Sequence, residues 1–323
     1  MAKSIILDKT GGPEVFRVET TPMPDPKPGE IIVGNTAIGL NFIDIYQRTG
    51  LYPMPLPLVL GSEAAGRIEA IGDGVTGFKQ GDRVAYFTTH GAYADYTAIP
   101  AALAVKIPDD VKETTAAAIF LKGMTVQMLV RQIYPLQKGD SCLVYAAAGG
   151  VGSLLCQWAN KLGARVIGVV GSSEKTGLAK FHGATNVINR TEVENIAAEV
   201  RKLTNNQGVN VVYDSVGKAT FEASLDSLAP RGMMVTYGNA SGPPPAIAPS
   251  DLARRGSLSL IRPTLFHFAT DTTRGPIATE LFEALSDGTL KTPNPTSFPL
   301  VEVADAHRLL ESGTSTGPII LIP

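Results

Sequence analysis

"SCLVYAAAGGVGSLLCQWANKLG", Ser141–Gly163, joins a candidate strand, a glycine turn and a candidate helix. Its first five residues form an apolar run suited to a buried strand. Val151, Leu154, Leu155, Trp158 and Leu162 then fall on one face of a helix that Gly163 ends. Between them lies "YAAAGGVGS", Tyr145–Ser153. Against the pattern G-x-G-x-x-G, Ala147 stands in the first position, while Gly149 and Gly152 hold the other two. An alanine is tolerated there if it keeps a negative φ. Strand, glycine turn and helix N-terminus together aim the amides of Gly150, Val151 and Gly152 at a phosphate. Gly149 lets a pyrophosphate approach, and Gly152 lets helix and strand pack closely. The bland alternative is a merely tight strand-to-helix turn.

The same alternation repeats along the chain. "SCLVY", "RVIGVV", "NVIN", "VNVVYD", "GMMVTYG" and "SLSLI" alternate with helical segments, which predicts six parallel strands covered on both faces. Such a doubly wound sheet is the Rossmann arrangement. Residues 1 to about 120 read differently, as short β-branched and aromatic runs broken by Gly, Pro and Asp. That pattern predicts a β-rich, barrel-like unit. "LYPMPLPLVLG" carries too many prolines for a helix or a central strand and is expected to be an ordered loop. After the sixth strand the chain returns to loops and helices and ends in strand-like "PIILIP". We therefore expect a fold of class α/β, with a β-rich catalytic domain over 1–124 and 263–323 and a dinucleotide domain over 125–262.

Composition removes several classes of function. A chain of 323 residues with 44% apolar and 18% charged residues suits two compact domains. The net charge of −2 lacks the basic excess that a nucleic-acid partner calls for. No segment approaches the length of a membrane span or a signal sequence, so a cytoplasmic address is the default. Cys142 and Cys156 lie in apolar contexts without C-x-x-C spacing and read as small buried hydrophobes. His90, His182, His267 and His307 are scattered without ligand spacing, so no metal site is expected.

The end of the second strand bears on the cofactor. NAD-binding sheets place an acidic residue there for the ribose 2′-hydroxyl. Here "RVIGVV" runs into Gly171, Ser172, Ser173, Glu174 and Lys175, and Arg190 follows the next strand. A hydroxyl with two cations suits a 2′-phosphate, so NADPH is preferred with Ser172, Lys175 and Arg190 as contacts. The alternatives are a solvated helix-start Lys175 and a ribose contact from Glu174.

The run "GDSCLVYAAAGGVGSLLCQWANKLGA" resembles the quinone oxidoreductase signature of the medium-chain dehydrogenase/reductase superfamily, the group that includes zeta-crystallin. So do "GLNFIDIYQRTGLYP", "GSEAAG", "LKGMTVQMLVR", "VVYDSVG" and "YGNASG". The resemblance spans essentially the whole chain, with Asn160 and Arg190 as departures from the usual pattern. It implies a GroES-like first domain. It also implies that Thr125, Ser215, Gly238, Asn239, Arg262 and Thr264 frame the cofactor, and that Asn41 and Asp44 lie beside nicotinamide and substrate. Zinc-dependent members carry a cysteine where this chain has Asn41 and a histidine where it has Ser62. The resemblance therefore implies no zinc, and a reaction in which an electron-poor acceptor needs little activation.

The expected function is NADPH-dependent reduction of quinones by direct hydride transfer, without zinc or flavin. Asn41, Asp44, Tyr46 and Tyr52 are the candidate catalytic residues, with Tyr52 first for orienting a quinone oxygen. Against these stand a purely structural hydrogen bond for Asp44 and loop packing for the two tyrosines. The rival functions are an alkenal or enoyl double-bond reductase, and a crystallin-like or RNA-binding protein that retains NADPH. Pairing of exposed "SLSLI" edges predicts a homodimer.

Overall fold

The computed structural model describes residues 2–323. The chain folds as two compact units, one formed by residues up to Gly123 together with Asp271–Pro323, the other by Met124–Thr270. No helix among the described residues is long and apolar enough to cross a membrane.

The first unit is rich in strands, six of its first eight no longer than six residues and two of nine and ten. They are β1 (Ala2–Leu7), β2 (Phe16–Thr21), β3 (Glu30–Gly39), β4 (Leu58–Val59), β5 (Glu63–Ile71), β6 (Arg83–Phe87), β7 (Tyr96–Pro100) and β8 (Ala104–Lys106). Helix α1 (Phe42–Thr49) follows β3 directly, and α2 (Glu113–Gln127) follows β8. The proline-rich stretch is loop apart from β4, a two-residue edge strand paired with β1. Proline has no amide to donate, so pairing is confined to Leu58 and Val59. Ile31, Val33, Ile38, Ile68, Val84 and Tyr86 form the heart of this unit's core.

The second unit holds β9 (Ser141–Tyr145), β10 (Arg165–Val170), β11 (Asn186–Asn189), β12 (Val209–Asp214), β13 (Leu228–Thr236) and β14 (Ser259–Ile261). Helices α3 (Gly150–Lys161), α4 (Glu174–Phe181), α5 (Ile196–Leu203), α6 (Phe221–Asp226) and α7 (Pro249–Arg254) connect them. All six strands pair in parallel, in the order β11-β10-β9-β12-β13-β14. The order turns around between β9 and β12, and ligands of such sheets bind outside the carboxyl ends at that switch.

The chain regains the first unit at Asp271, later than the residue 263 expected. After β14 it first closes a turn at Leu265–His267, where the Phe268 and Ala269 amides bond to the Leu265 carbonyl. Helix α8 (Arg274–Ser286), strand β15 (Thr296–Pro299), helix α9 (Val303–Ser312) and strand β16 (Ile319–Ile322) complete the chain. β16 pairs antiparallel with β3 through Ile320↔Gly39 and Leu321↔Ile38. "PIILIP" is thus an internal strand of the first unit's seven-stranded sheet.

Candidate active site

The glycine loop of the second unit has the geometry a diphosphate needs. Gly149 caps α3 with extended backbone, and the first intrahelical bond runs from the Ser153 amide to the Gly149 carbonyl at 2.8 Å. The amides of Gly150, Val151 and Gly152 therefore have no acceptor within the helix. A Cβ on Gly152 would lie 2.2 Å from the Ala146 carbonyl oxygen, so only glycine fits. The left-handed backbone falls on Ala146, at φ 50°, rather than on Ala147. That shift explains how alanine serves in the first pattern position.

The carboxyl ends of neighbouring strands carry other expected contacts. Gly238, after β13, passes so near the loop after β12 that a Cβ would meet the Ser215 carbonyl oxygen at 2.3 Å. Arg262 is tied to the same end by donating to the Gly238 carbonyl (2.9 Å) and to Thr236 Oγ1 (3.2 Å). Beyond β10, the Arg190 guanidinium flanks Gly171, within 3.4 Å of where a Cβ would stand. Ser173 is held by Glu192 at 2.5 Å and by Asn189 at 3.0 Å, and Ser172 and Lys175 flank it in sequence. Asp214, which sequence reasoning passed over, is fully buried at the end of β12. It accepts from the Val216 and Gly217 amides and from the Thr220 and Ser224 hydroxyls, and so shapes the loop carrying Ser215.

In the first unit, Asn41 and Asp44 open α1. The Asp44 carboxylate accepts from the Asn41 amide at 2.9 Å, closing the helix start as an N3 acid does. It also accepts from Ser62 Oγ at 2.6 Å and Tyr93 Oη at 3.0 Å. Asp44 has no exposed surface. The side chain is turned inward onto Asn41, Ser62 and Tyr93. Burial pushes its pKa up to about 6 against the opposing pull of Ser62, Asn41 and Tyr93.

The chain of bonds continues inward. Tyr93 Oη lies 3.0 Å from His307 Nε2 on α9, and Arg48 Nη1 lies 3.4 Å from His307 Nδ1. A guanidinium can only donate, so Nδ1 accepts, the ring proton sits on Nε2, and Tyr93 passes its own proton toward Asp44. Arg48 is buried and pairs through both terminal nitrogens with Glu311. Burial, with Arg48 beside it, pushes the His307 pKa down to about 3 from its ordinary 6.5. Its folded value lies below the unfolded one, so its contribution is complete above pH 6.5 and is lost as pH falls toward 3. Asp44 works in the opposite sense: its contribution is complete below 3.8 and is lost as pH rises through 6. His307→Gln removes only the first effect. Between pH 7 and pH 5 the variant is expected to gain about 2 kcal/mol relative to the parent in urea unfolding. An unchanged difference would show that His307 is not the buried neutral base described.

A second cluster surrounds Glu63, at the start of β5. Its Oε1 accepts from Asn41 Nδ2 (2.8 Å) and from Lys122 Nζ (3.0 Å), and Oε2 accepts from the Leu121 amide (2.6 Å). Gly39 makes room for it, since a Cβ there would stand 2.3 Å from Glu63 Oε1. Tyr46 packs its ring on Tyr52, edge to face at 5.2 Å, and on Phe42 at 6.1 Å. The loop and α1 thus bring the two expected tyrosines together, with Tyr46 buried and Tyr52 partly exposed.

This donor set does not fit zinc. Asn41 and Ser62 donate their side-chain N–H and O–H groups to carboxylates, and Glu63 already faces an ammonium. Zinc sites want thiolate, imidazole and carboxylate ligands. Among the described residues, no group of three or more His, Cys, Asp or Glu is placed to hold a metal ion. Cys142 and Cys156 are free and buried, and burial raises both thiols.

Residues 27–109 match the alcohol dehydrogenase GroES-like domain family, and residues 150–274 match the zinc-binding dehydrogenase family. Over the full length of both chains, this protein is 47% identical to a quinone oxidoreductase of Pseudomonas aeruginosa. The chain belongs to the quinone oxidoreductase family. This member superposes on the crystal structure of Escherichia coli quinone oxidoreductase complexed with NADPH with a TM-score of 0.96, at 42% identity, covering 99% of this chain and 100% of that one. It is also 40% identical to a 2-haloacrylate reductase of Burkholderia sp, over 100% of this chain and 99% of that protein. As a member of the medium-chain dehydrogenase/reductase superfamily, the chain is an oxidoreductase with a GroES-like domain and a Rossmann-like parallel sheet.

Proposed function

We propose that this quinone oxidoreductase family member uses NADPH to reduce quinones, without zinc or flavin. The observation that carries the reading is the N-terminus of α3. Gly149 and Gly152 open α3 with three amides that have no acceptor within the helix, at the switch point of the sheet. Bound there, NADPH supplies the hydride. Gly150, Val151 and Gly152 hold its pyrophosphate. Thr125, Ser215, Gly238, Asn239, Arg262 and Thr264 line the remainder of the cofactor. Ser172, Lys175 and Arg190 take the 2′-phosphate, and the guanidinium beside Gly171 supports that choice over NADH.

The first unit contributes the acceptor side. Tyr52 and Tyr46 give a quinone flat apolar surface, and the Tyr52 hydroxyl orients its oxygen. Tyrosine, with an ordinary pKa of about 10, is a donor and a poor base at neutral pH. Asn41 stands at the cofactor and substrate, while Asp44 positions it through the helix start. Zinc-free action is supported by the amide and hydroxyl groups of Asn41 and Ser62, which are committed to carboxylates.

The 2-haloacrylate reductase relative favours a second reading, reduction of a conjugated C=C bond. Steady-state rates on 1,4-benzoquinone, 9,10-phenanthrenequinone and a 2-alkenal, each with NADPH and NADH, separate the two. Quinone turnover that is fastest and NADPH-dependent is expected, and alkenal turnover far above it would favour the second reading. Two unpaired buried cysteines suit the cytoplasm. β14 stands at the edge of its sheet, which supports a homodimer formed by pairing two such edges, with a dimeric mass expected in light scattering.

A further inference from the structure

We propose that Lys122 is a catalytic residue of the proposed reduction, donating a hydrogen bond to the acceptor oxygen on which negative charge develops. An ammonium carries three N–H donors. Among the described residues Lys122 uses one of them, toward Glu63 Oε1 at 3.0 Å. Its side chain is only 9% exposed, too little for bulk water to serve the other two freely. Donors left facing apolar atoms in such a place are costly, so the remaining N–H groups point to a ligand.

The surroundings fix where that ligand lies. Asn41 Nδ2 and Lys122 Nζ converge on the same carboxylate oxygen, so the ammonium stands beside the Asn41 amide. Glu63 can only accept, which turns the nitrogen of Asn41 inward and leaves Oδ1, an acceptor, as the other end of that amide. Lys122 is therefore the cationic donor of this cluster. The Leu121 amide holds the second oxygen of Glu63, and the absence of a Cβ at Gly39 gives the carboxylate its room. Lys122 is thus anchored at one point, and no hydrogen bond among the described residues takes up its other two N–H groups.

The assignment rests on the reading of the chain as an NADPH-dependent reductase. As the hydride and its electron pair reach a quinone or enone, the former carbonyl oxygen takes the negative charge. The fixed ammonium donates to that oxygen, and a proton from water completes the product. A preorganised donor of this kind is worth about 10²–10³ in rate.

The test measures kcat for a series of methylated 1,4-benzoquinones with NADPH, for the parent and Lys122→Met, beside NADPH affinity by fluorescence. The expected result is a loss in kcat of about a hundredfold, growing along the series as the quinone becomes more electron-rich, with NADPH affinity unchanged. Lys122→Arg keeps the charge and should recover most of the loss. If Lys122→Met does not fold, the double variant Lys122→Met, Glu63→Gln removes both buried charges and is expected to show the same graded loss. A change below threefold, or an equal loss on every quinone accompanied by a lower Tm, would overturn the assignment and leave Lys122 as a counter-ion only. The parent's own quinone turnover tests the functional reading separately, and if it reduces only alkenals the same ratio is read on those.

Discussion

Gly152→Val is expected to weaken NADPH binding by about a hundredfold or more, a loss of about 2.7 kcal/mol. The clash is with backbone: a Cβ at position 152 meets the Ala146 carbonyl oxygen at 2.2 Å and the Ala147 Cα at 3.1 Å. Neither atom belongs to a flexible side chain, so the start of α3 must move. The amides of Gly150 and Val151 move with it, and the positions they offer a pyrophosphate are lost. Gly149 is less confined, with its nearest contact at 3.1 Å, and Gly149→Ala should cost less than Gly152→Val. Titration of NADPH fluorescence reads both. Parental affinity in Gly152→Val would mean that the cofactor does not rest on this loop.

Asp44→Ala is expected to destabilise the protein by about 3–5 kcal/mol, because three donors lose their acceptor at once. They are the Asn41 amide, the Ser62 hydroxyl and the Tyr93 hydroxyl, and Asp44, Ser62 and Tyr93 are essentially without exposed surface. A thermal midpoint lower by roughly 10 °C follows for a unit of this size. Asp44→Asn keeps the volume and one acceptor oxygen, and should lose roughly half as much. A variant as stable as the parent would mean that this carboxylate does not hold the helix start together.

These two residues also mark what the chain discloses before it folds. The loop around Gly149 and Gly152 was legible because the phosphate-facing turn, its strand and its helix are contiguous. Their apolar periodicities follow directly from strand and helix geometry. The six-stranded parallel sheet was legible for the same reason. For Asp44, sequence shows which helix the carboxylate starts, not which way it turns. Its inward turn depends on Tyr93 and His307, which are 214 positions apart and meet only because α9 returns to the first unit.

Lys122 and Glu63 were equally hidden. Each lies in a recognisable run, "LKGMTVQ" and "GSEAAG", but nothing in either run announces that they pair. Arg48 reads as an ordinary charge at the end of an amphipathic helix, yet it is buried against Glu311. Local pattern reports backbone periodicity and turn chemistry. Contacts between side chains distant in sequence are set by how the sheets close, and a single sequence carries no direct mark of them.

Reduction of quinones by NADPH on this chain is proposed to need no metal. Its most direct test is NADPH oxidation with 9,10-phenanthrenequinone before and after exhaustive dialysis against a chelator. Equal turnover in both samples and no gain on adding zinc are expected. Activity lost on dialysis and restored by zinc would contradict it.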